Sequence, residues 1–263
     1  MNMRPVQWLG YDDVFLEDQY SDIPSRQFIS LETNIGKYSF GIPVIASPMD
    51  TICGWVMARS MAIGGGLGII HRYMGIAENQ DQYEAACRGY SVGVSIGIKE
   101  EEKTRAAVLV DMGARIICID TARGYAKSVG DMIRWVRTLA DDLCIIAGST
   151  ISQDGVKFLS DCGANAVRVG IGNGSVCTTS LKTGIGMPPL TAILECCDLG
   201  VPIIADGGIR KPSDIAKALA AGASMVMLGR MLAGTDETPV KAEWINGRLM
   251  KPYRGMASRE ANP

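Results

Sequence analysis

The chain has 263 residues, of which 47% are hydrophobic and 21% charged, with a net charge of −2. That length and apolar content fit one large α/β domain with a sizeable core and exclude a disordered chain. The two signs of charge are interspersed, so nothing points to nucleic acid, and the longest apolar stretch, 61–70, is too short and too glycine-rich to span a bilayer.

The opening MNMRPVQWLG lacks the charged-then-apolar layout of a secretory signal. The eight cysteines form no Cys-x-x-Cys pair, and most lie in apolar segments. Both features suit a reduced, cytoplasmic protein rather than a disulfide framework or zinc site. The first 40 residues carry few apolar runs and are expected to form a lid or a bottom plug.

Short apolar runs then alternate with amphipathic segments. Strands are expected at Pro43–Ser47, Leu67–His71, Val92–Gly97, Ile116–Asp120, Cys144–Gly148, Ala166–Gly170, Pro202–Ala205 and Met225–Gly229. Each run is nearly continuous in apolar character, as in parallel strands buried on both faces. Helices are expected at Gly54–Ala62, Ile76–Arg88, Glu100–Met112, Ser128–Ala140, Ser152–Cys162, Pro188–Leu199 and Pro212–Ala221. Ser152 is placed to cap its helix and Gly163 to stop it, while Pro212 opens the last helix and Gly222 ends it. Asn246-Gly247 marks a hairpin turn.

Strands alternating with helices in this number predict a (β/α)8 barrel; an open doubly wound sheet is the alternative. Polar residues and glycines gather at the strand ends where such barrels build their sites. After the eighth expected strand no helical pattern follows. The eighth helix is therefore expected to be missing, with 1–263 a single barrel domain and 235–263 the start of a flap region.

Two stretches carry the chemistry. Residues 170–179, GIGNGSVCTT, follow a strand and place a cysteine in a glycine-rich loop. Residues 203–209, IIADGGI, and 225–229, MVMLG, are strands ending in glycines. Such glycines let backbone N–H groups approach an anion, and a cysteine on such a loop can serve as a nucleophile. The pattern points to a phosphate-bearing substrate beside a thiolate.

From about Tyr11 to Ser258 the chain resembles the IMP dehydrogenase/GMP reductase family. The matching segments include YDDV at 11–14, ASPMDT at 46–51, GLGIIH at 66–71, IDTA at 119–122, IAG at 146–148, YRGM at 253–256 and the stretches above. The resemblance implies roles. Cys177 is the nucleophile that forms a thioimidate at C2 of the purine, and Thr179 handles the proton of the leaving amine or the attacking water. Asp206 accepts the ribose hydroxyls. Ser175, Gly207, Gly208, Gly229, Arg230 and Tyr253 surround the 5′-phosphate. Family members often carry a small residue in place of Arg230, whose guanidinium here either adds a charge-assisted bond or points to solvent. Ser47 and Met49 line the purine pocket, and Gly255, Met256 and Ala257 meet the base edge.

Asp120 is similar to the residue that holds the nicotinamide ribose. Ser25 and Arg26 resemble contacts to the far end of the dinucleotide, and Arg72 is within reach of a cofactor phosphate. His71, the only histidine, is expected to make structural hydrogen bonds rather than to act as a base. The carbonyls of Gly172, Gly174 and Cys177 resemble a potassium site, although Ser180 stands where the family carries arginine. The implied cofactors are NADPH (or NAD) and potassium, and the implied assembly is a homotetramer.

Two features bear on which reaction is run. Only residues 72–91 separate His71 from the third strand, leaving no room for the regulatory modules that most IMP dehydrogenases carry there. The run 181–186, LKTGIG, also looks more like GMP reductase, whereas 205–210 and 251–256 look more like IMP dehydrogenase. The balance favours reduction of GMP to IMP, with IMP oxidation as the alternative. The sequence ends at Pro263, before the flap that completes both active sites. Either a tail lies beyond it, or the protein is a nucleotide-binding relative without turnover. A flavin-binding barrel is a third reading, which the Cys-Thr-Thr loop disfavours.

Overall fold

The computed structural model describes residues 8–256. In chain order the elements are β1 (Thr33–Ile35), β2 (Tyr38–Phe40), β3 (Val44–Ala46), α1 (Trp55–Ile63), β4 (Leu67–Ile70), α2 (Ile76–Cys87), β5 (Gly93–Ile96) and α3 (Glu100–Asp111). There follow β6 (Ile116–Asp120), α4 (Lys127–Arg137), β7 (Cys144–Thr150), α5 (Gln153–Asp161), β8 (Ala166–Val169), α6 (Thr179–Thr183) and α7 (Pro189–Cys196). The last are β9 (Ile203–Asp206), α8 (Pro212–Ala220), β10 (Met225–Leu228), β11 (Glu243–Ile245) and β12 (Arg248–Met250).

Strands β3 to β10 close into a parallel barrel, with β10 paired to both β9 and β3. All eight expected strands are present, each within two residues of its predicted bounds. The period of two explains why they are apolar on both faces. Ile45, Leu67, Ile69, Ile116, Ile146, Ile204 and Met227 meet inside the barrel. Their alternates Ala46, Ile70, Ile117, Ile119, Ile145, Val167 and Ile203 pack outward against the helices. Each fully buried isoleucine contributes roughly 2 kcal/mol by area, and truncation of one to alanine costs about 2–5 kcal/mol.

The helices begin and end where local chemistry dictates. Ser152 Oγ accepts a hydrogen bond from Gly155 N at 3.2 Å, capping α5. Pro212 stands at the first position of α8, where its missing N–H costs nothing. Among the described residues no helix follows β10, and the chain instead forms the exposed hairpin β11–β12. Its turn is Asn246-Gly247, both with positive φ (50° and 74°), as a two-residue hairpin turn requires.

The short hairpin β1–β2 was not foreseen. It brings Ile35 and Phe40 into the inner cluster, where Cys144 Sγ lies 3.8 Å from Ile35 O, and so stoppers the N-terminal end of the barrel. Residues 9–13 lie elsewhere, against α7 and α8. Leu9 and Thr191 exchange hydrogen bonds, and Lys217 Nζ donates to Tyr11 O at 2.7 Å. With the opposite end filled, the C-terminal strand ends are left to form a cavity.

Candidate functional site

The cavity at the C-terminal strand ends has a volume of about 480 Å³, within the range of small-ligand sites. Its walls come from the loops after β3, β4, β5, β6, β8 and β9, and from Tyr253, Gly255 and Met256. A second cavity, also about 480 Å³, adjoins it and is lined by residues 10–13, Asn173, Ser175, Pro189, Gly208, Arg210 and Arg230. Asn173 lines both.

The loop after β8 can crowd against β9 because Gly170 starts it. That residue has φ 147°, and a Cβ there would fall 2.1 Å from Asp206 O. The loop then turns on itself, with Cys177 N donating to Gly174 O at 3.0 Å. This places Cys177 in the first cavity, half-buried, with its Sγ 3.3 Å from Thr179 Oγ1. Most of the other cysteines differ in kind. Burial pushes Cys118, Cys144 and Cys196 up to about 12, which keeps them as inert thiols. Among the described residues Cys177 is the only cysteine that lines either cavity.

Across the cavity stand two carboxylates and the Arg168 guanidinium between them, with Arg72 Nε 4.0 Å from Asp120 Oδ2. Arg168 Nη1 donates to Asp120 Oδ1 at 2.8 Å. Its Nε and Nη2 donate to Asp206 Oδ2 at 3.1 and 2.8 Å. Ser149 Oγ donates to the same oxygen at 3.1 Å. Burial alone would lower the pKa of Arg168, but the two carboxylates outweigh it and hold the guanidinium charged.

Residues 253–256 are clasped to the rim. Arg254 Nε donates to Asp50 Oδ2 at 2.8 Å, and Asp50 N lies 3.3 Å from Met256 Sδ. The Tyr253 side chain enters the cavity wall, where burial raises its pKa and keeps the phenol protonated. On the other side Asp12 is held by Arg210 and by Lys211, the latter at 2.9 Å, which fixes the wall of the second cavity. Two donors at this junction lack partners: the Tyr11 hydroxyl, in a side chain only 2% exposed, and Asn173 Nδ2. Unpaired donors beside Ser175 and Arg230 suit an acceptor-only group such as a phosphate.

Of the residues expected from sequence, Ser47, Met49, Arg72, Asp120, Gly172, Gly174, Cys177, Thr179, Asp206, Gly207, Tyr253, Gly255 and Met256 line the first cavity. Ser175, Gly208 and Arg230 line the second. Gly229, Ser25 and Arg26 line neither, and Arg26 is exposed on a short 3-10 turn capped by Ser25. Ala257 lies outside the described residues. Arg168, Ser149, Tyr73 and Asn173 were not anticipated. A charged residue in the middle of the apolar run 166–169 was the signal that marked Arg168.

His71 makes structural hydrogen bonds in this geometry. It is buried, and its Nδ1 accepts the Tyr73 N–H at 3.2 Å. Burial, aided by Arg105 and Arg254 and opposed by Asp50, lowers its pKa to about 4. The folded protein therefore binds this proton less readily than the unfolded chain. The stabilisation is complete above pH 6.5 and is lost as pH falls from 6.5 towards 4. Unfolding at pH 5 is expected to need about 2 kcal/mol less than at pH 7 from this group. Denaturant titration of the protein and of His71→Asn checks it; the variant's stability should depend less on pH across that window.

Fold and site define the class first: a (β/α)8 barrel with a thiol and a bridged pair of carboxylates at the C-terminal ends of its strands. Comparison with known proteins then narrows it. The family described as IMP dehydrogenase / GMP reductase domain matches residues 8–263. The inosine-5′-monophosphate dehydrogenase of Cryptosporidium parvum is 36% identical, over 95% of this chain and 74% of its own. The GMP reductase of Aeromonas hydrophila is 37% identical, over 96% of this chain and 77% of its own. The crystal structure of inosine 5′-monophosphate dehydrogenase from Legionella pneumophila superimposes with a TM-score of 0.90 at 43% identity, covering 97% of this chain and 79% of that one. The chain belongs to the IMP dehydrogenase/GMP reductase family.

Proposed function

We propose that this protein is a purine nucleotide oxidoreductase that converts GMP to IMP, with NADPH as reductant and Cys177 as the nucleophile. The observation that carries it is Cys177 itself, facing a ligand-sized cavity within 3.3 Å of a hydroxyl. The purine rests in the first cavity between Met49 and Cys177. The ribose hydroxyls donate to Asp206, and the 5′-phosphate lies towards Ser175, Gly208, Arg230 and the Tyr253 hydroxyl.

Cys177 Sγ bonds to C2, the C2–N2 bond breaks, and ammonia departs with a proton delivered through Thr179 Oγ1. The thioimidate so formed splits one hard substitution into two easier steps. The nicotinamide dinucleotide, when bound, would supply the hydride to C2, and the C2–Sγ bond would then break to release IMP and return Cys177 as its thiolate. The residues present suit it: Asp120 is an acceptor for a ribose diol, and Arg72 Nε is buried without a hydrogen-bond partner, 4.0 Å from Asp120 Oδ2. Ser25 and Arg26 are held as contacts to its far end. The carbonyls of Gly172, Gly174 and Cys177 are hard oxygen donors within one loop. They suit a potassium ion that holds the loop in shape; Gly174 O keeps a lone pair beyond its bond to Cys177 N. A cytoplasmic homotetramer completes the reading, and among the described residues no helix is long and apolar enough to cross a membrane.

The alternative is NAD-dependent oxidation of IMP, favoured by the segment 251–256, whose Tyr253, Gly255 and Met256 form a wall of the cavity. Absorbance at 340 nm decides between them. Loss of NADPH with GMP supports reduction, and gain of NADH with IMP assigns oxidation. Neither change, in a protein that still binds GMP, leaves a nucleotide-binding relative.

A further inference from the structure

We propose that Arg168 is a positioning residue that holds the substrate-ribose and cofactor-ribose carboxylates in one rigid bridge, so that binding of both ligands depends on a single side chain. The inference rests on the assignment of Asp206 and Asp120 made above.

The bridge is built from four neighbouring strands. Asp120 comes from β6, Ser149 from β7, Arg168 from β8 and Asp206 from β9. Gly148 of β7 lies in register between Asp120 and Arg168. A Cβ on Gly148 would fall 2.5 Å from Arg168 Cβ, so its absence leaves the room in which the arginine lies. The planar guanidinium then reaches both carboxylates at once, which a point charge on a flexible stem does poorly.

The pattern of acceptors is informative. Every protein hydrogen bond to the Asp206 carboxylate ends on Oδ2, two from Arg168 and one from Ser149. The Asp120 carboxylate takes its bond from Arg168 on Oδ1. Asp206 Oδ1 and Asp120 Oδ2 take no protein hydrogen bond, although Arg72 Nε forms an ion pair with Asp120 Oδ2 at 4.0 Å. Neither is a buried orphan, and both residues line the first cavity. Arg168 therefore takes one oxygen of each carboxylate and fixes the plane in which the other can meet a diol. It also supplies the charge that lets two carboxylates stand on neighbouring walls without repelling each other.

The test compares affinities for GMP and for NADPH or NAD, whichever the unmodified protein binds, by calorimetry. Asp206→Asn should weaken GMP at least about 10-fold and leave the dinucleotide within about twofold; Asp120→Asn should do the reverse. Arg168→Gln should weaken both by about 10-fold or more, since each carboxylate loses a charged hydrogen bond. Arg168→Lys, which keeps the charge, should recover part of both affinities. It also serves if the glutamine variant fails to fold. Loss of one affinity alone, or of neither, in the arginine variants overturns the bridge while the functional reading stands. So does a lysine variant that recovers only one of the two. An unmodified protein that binds neither nucleotide nor dinucleotide overturns the functional reading, and the bridge with it.

Discussion

Replacement of Cys177 by alanine is expected to abolish conversion of GMP to IMP, with a loss in kcat on the order of 10⁴-fold or more. Among the described residues Cys177 supplies the one thiol that lines the cavity. Thr179 Oγ1 lies 3.3 Å from the sulfur, but an alcohol without a base beside it is a poor nucleophile. GMP affinity should change little, because phosphate and ribose are held by groups on other loops. Turnover and calorimetry on the same preparation check both halves. Residual activity within about tenfold of the unmodified protein would mean that no covalent step passes through this sulfur.

Asp206→Ala carries the second largest effect, and it falls on binding. The side chain is the proposed acceptor for the ribose hydroxyls, and bonds to a charged acceptor are the strong ones. GMP should bind about 100-fold more weakly. The substitution also strips Arg168 of two of its donors' partners, leaving Asp120 to carry the charge. Because that second carboxylate remains, stability should fall by about 2 kcal/mol rather than by the larger penalty of a stranded buried cation. Urea denaturation measures the one effect and calorimetry the other. The two are separable because nucleotide affinity is read on folded protein.

The barrel was legible because its physics is local and periodic. Runs such as 116–119 and 144–148 are apolar at every position, which suits strands with side chains both in the barrel and under the helices. Ser152, Pro212 and Asn246-Gly247 announced their caps and turn by chemistry alone. Cys177, Thr179 and Asp206 were likewise visible as polar residues at the ends of such strands. Arg168 was not, because the run 166–169 was read for its average character rather than for the one residue that breaks it. Alternation places that residue beside Asp206 and Asp120, and the space left by Gly148 completes the picture. The hairpin β1–β2 was missed for the opposite reason: only Ile35 and Phe40 of its six residues are fully buried, too few to make a pattern. Helix α6 has five residues, two of them threonine and one serine, a composition that favours caps and turns over helix interiors. The clasps that shape the cavity join residues far apart in sequence, as Arg254 does with Asp50 across 204 positions. No local reading predicts such a pair.

The central claim is that Cys177 is a nucleophile facing a bound purine nucleotide, and alkylation of its thiol tests it most directly. The protein is treated with limiting iodoacetamide, with and without saturating GMP, and its peptides are mapped by mass. Cys177 should label well ahead of Cys118 and Cys144, whose thiols burial pushes up to about 12. Bound GMP should protect it, since C2 of the base would rest against the sulfur. Labelling of Cys177 no faster than those buried thiols, or labelling that GMP leaves unchanged, would contradict the account.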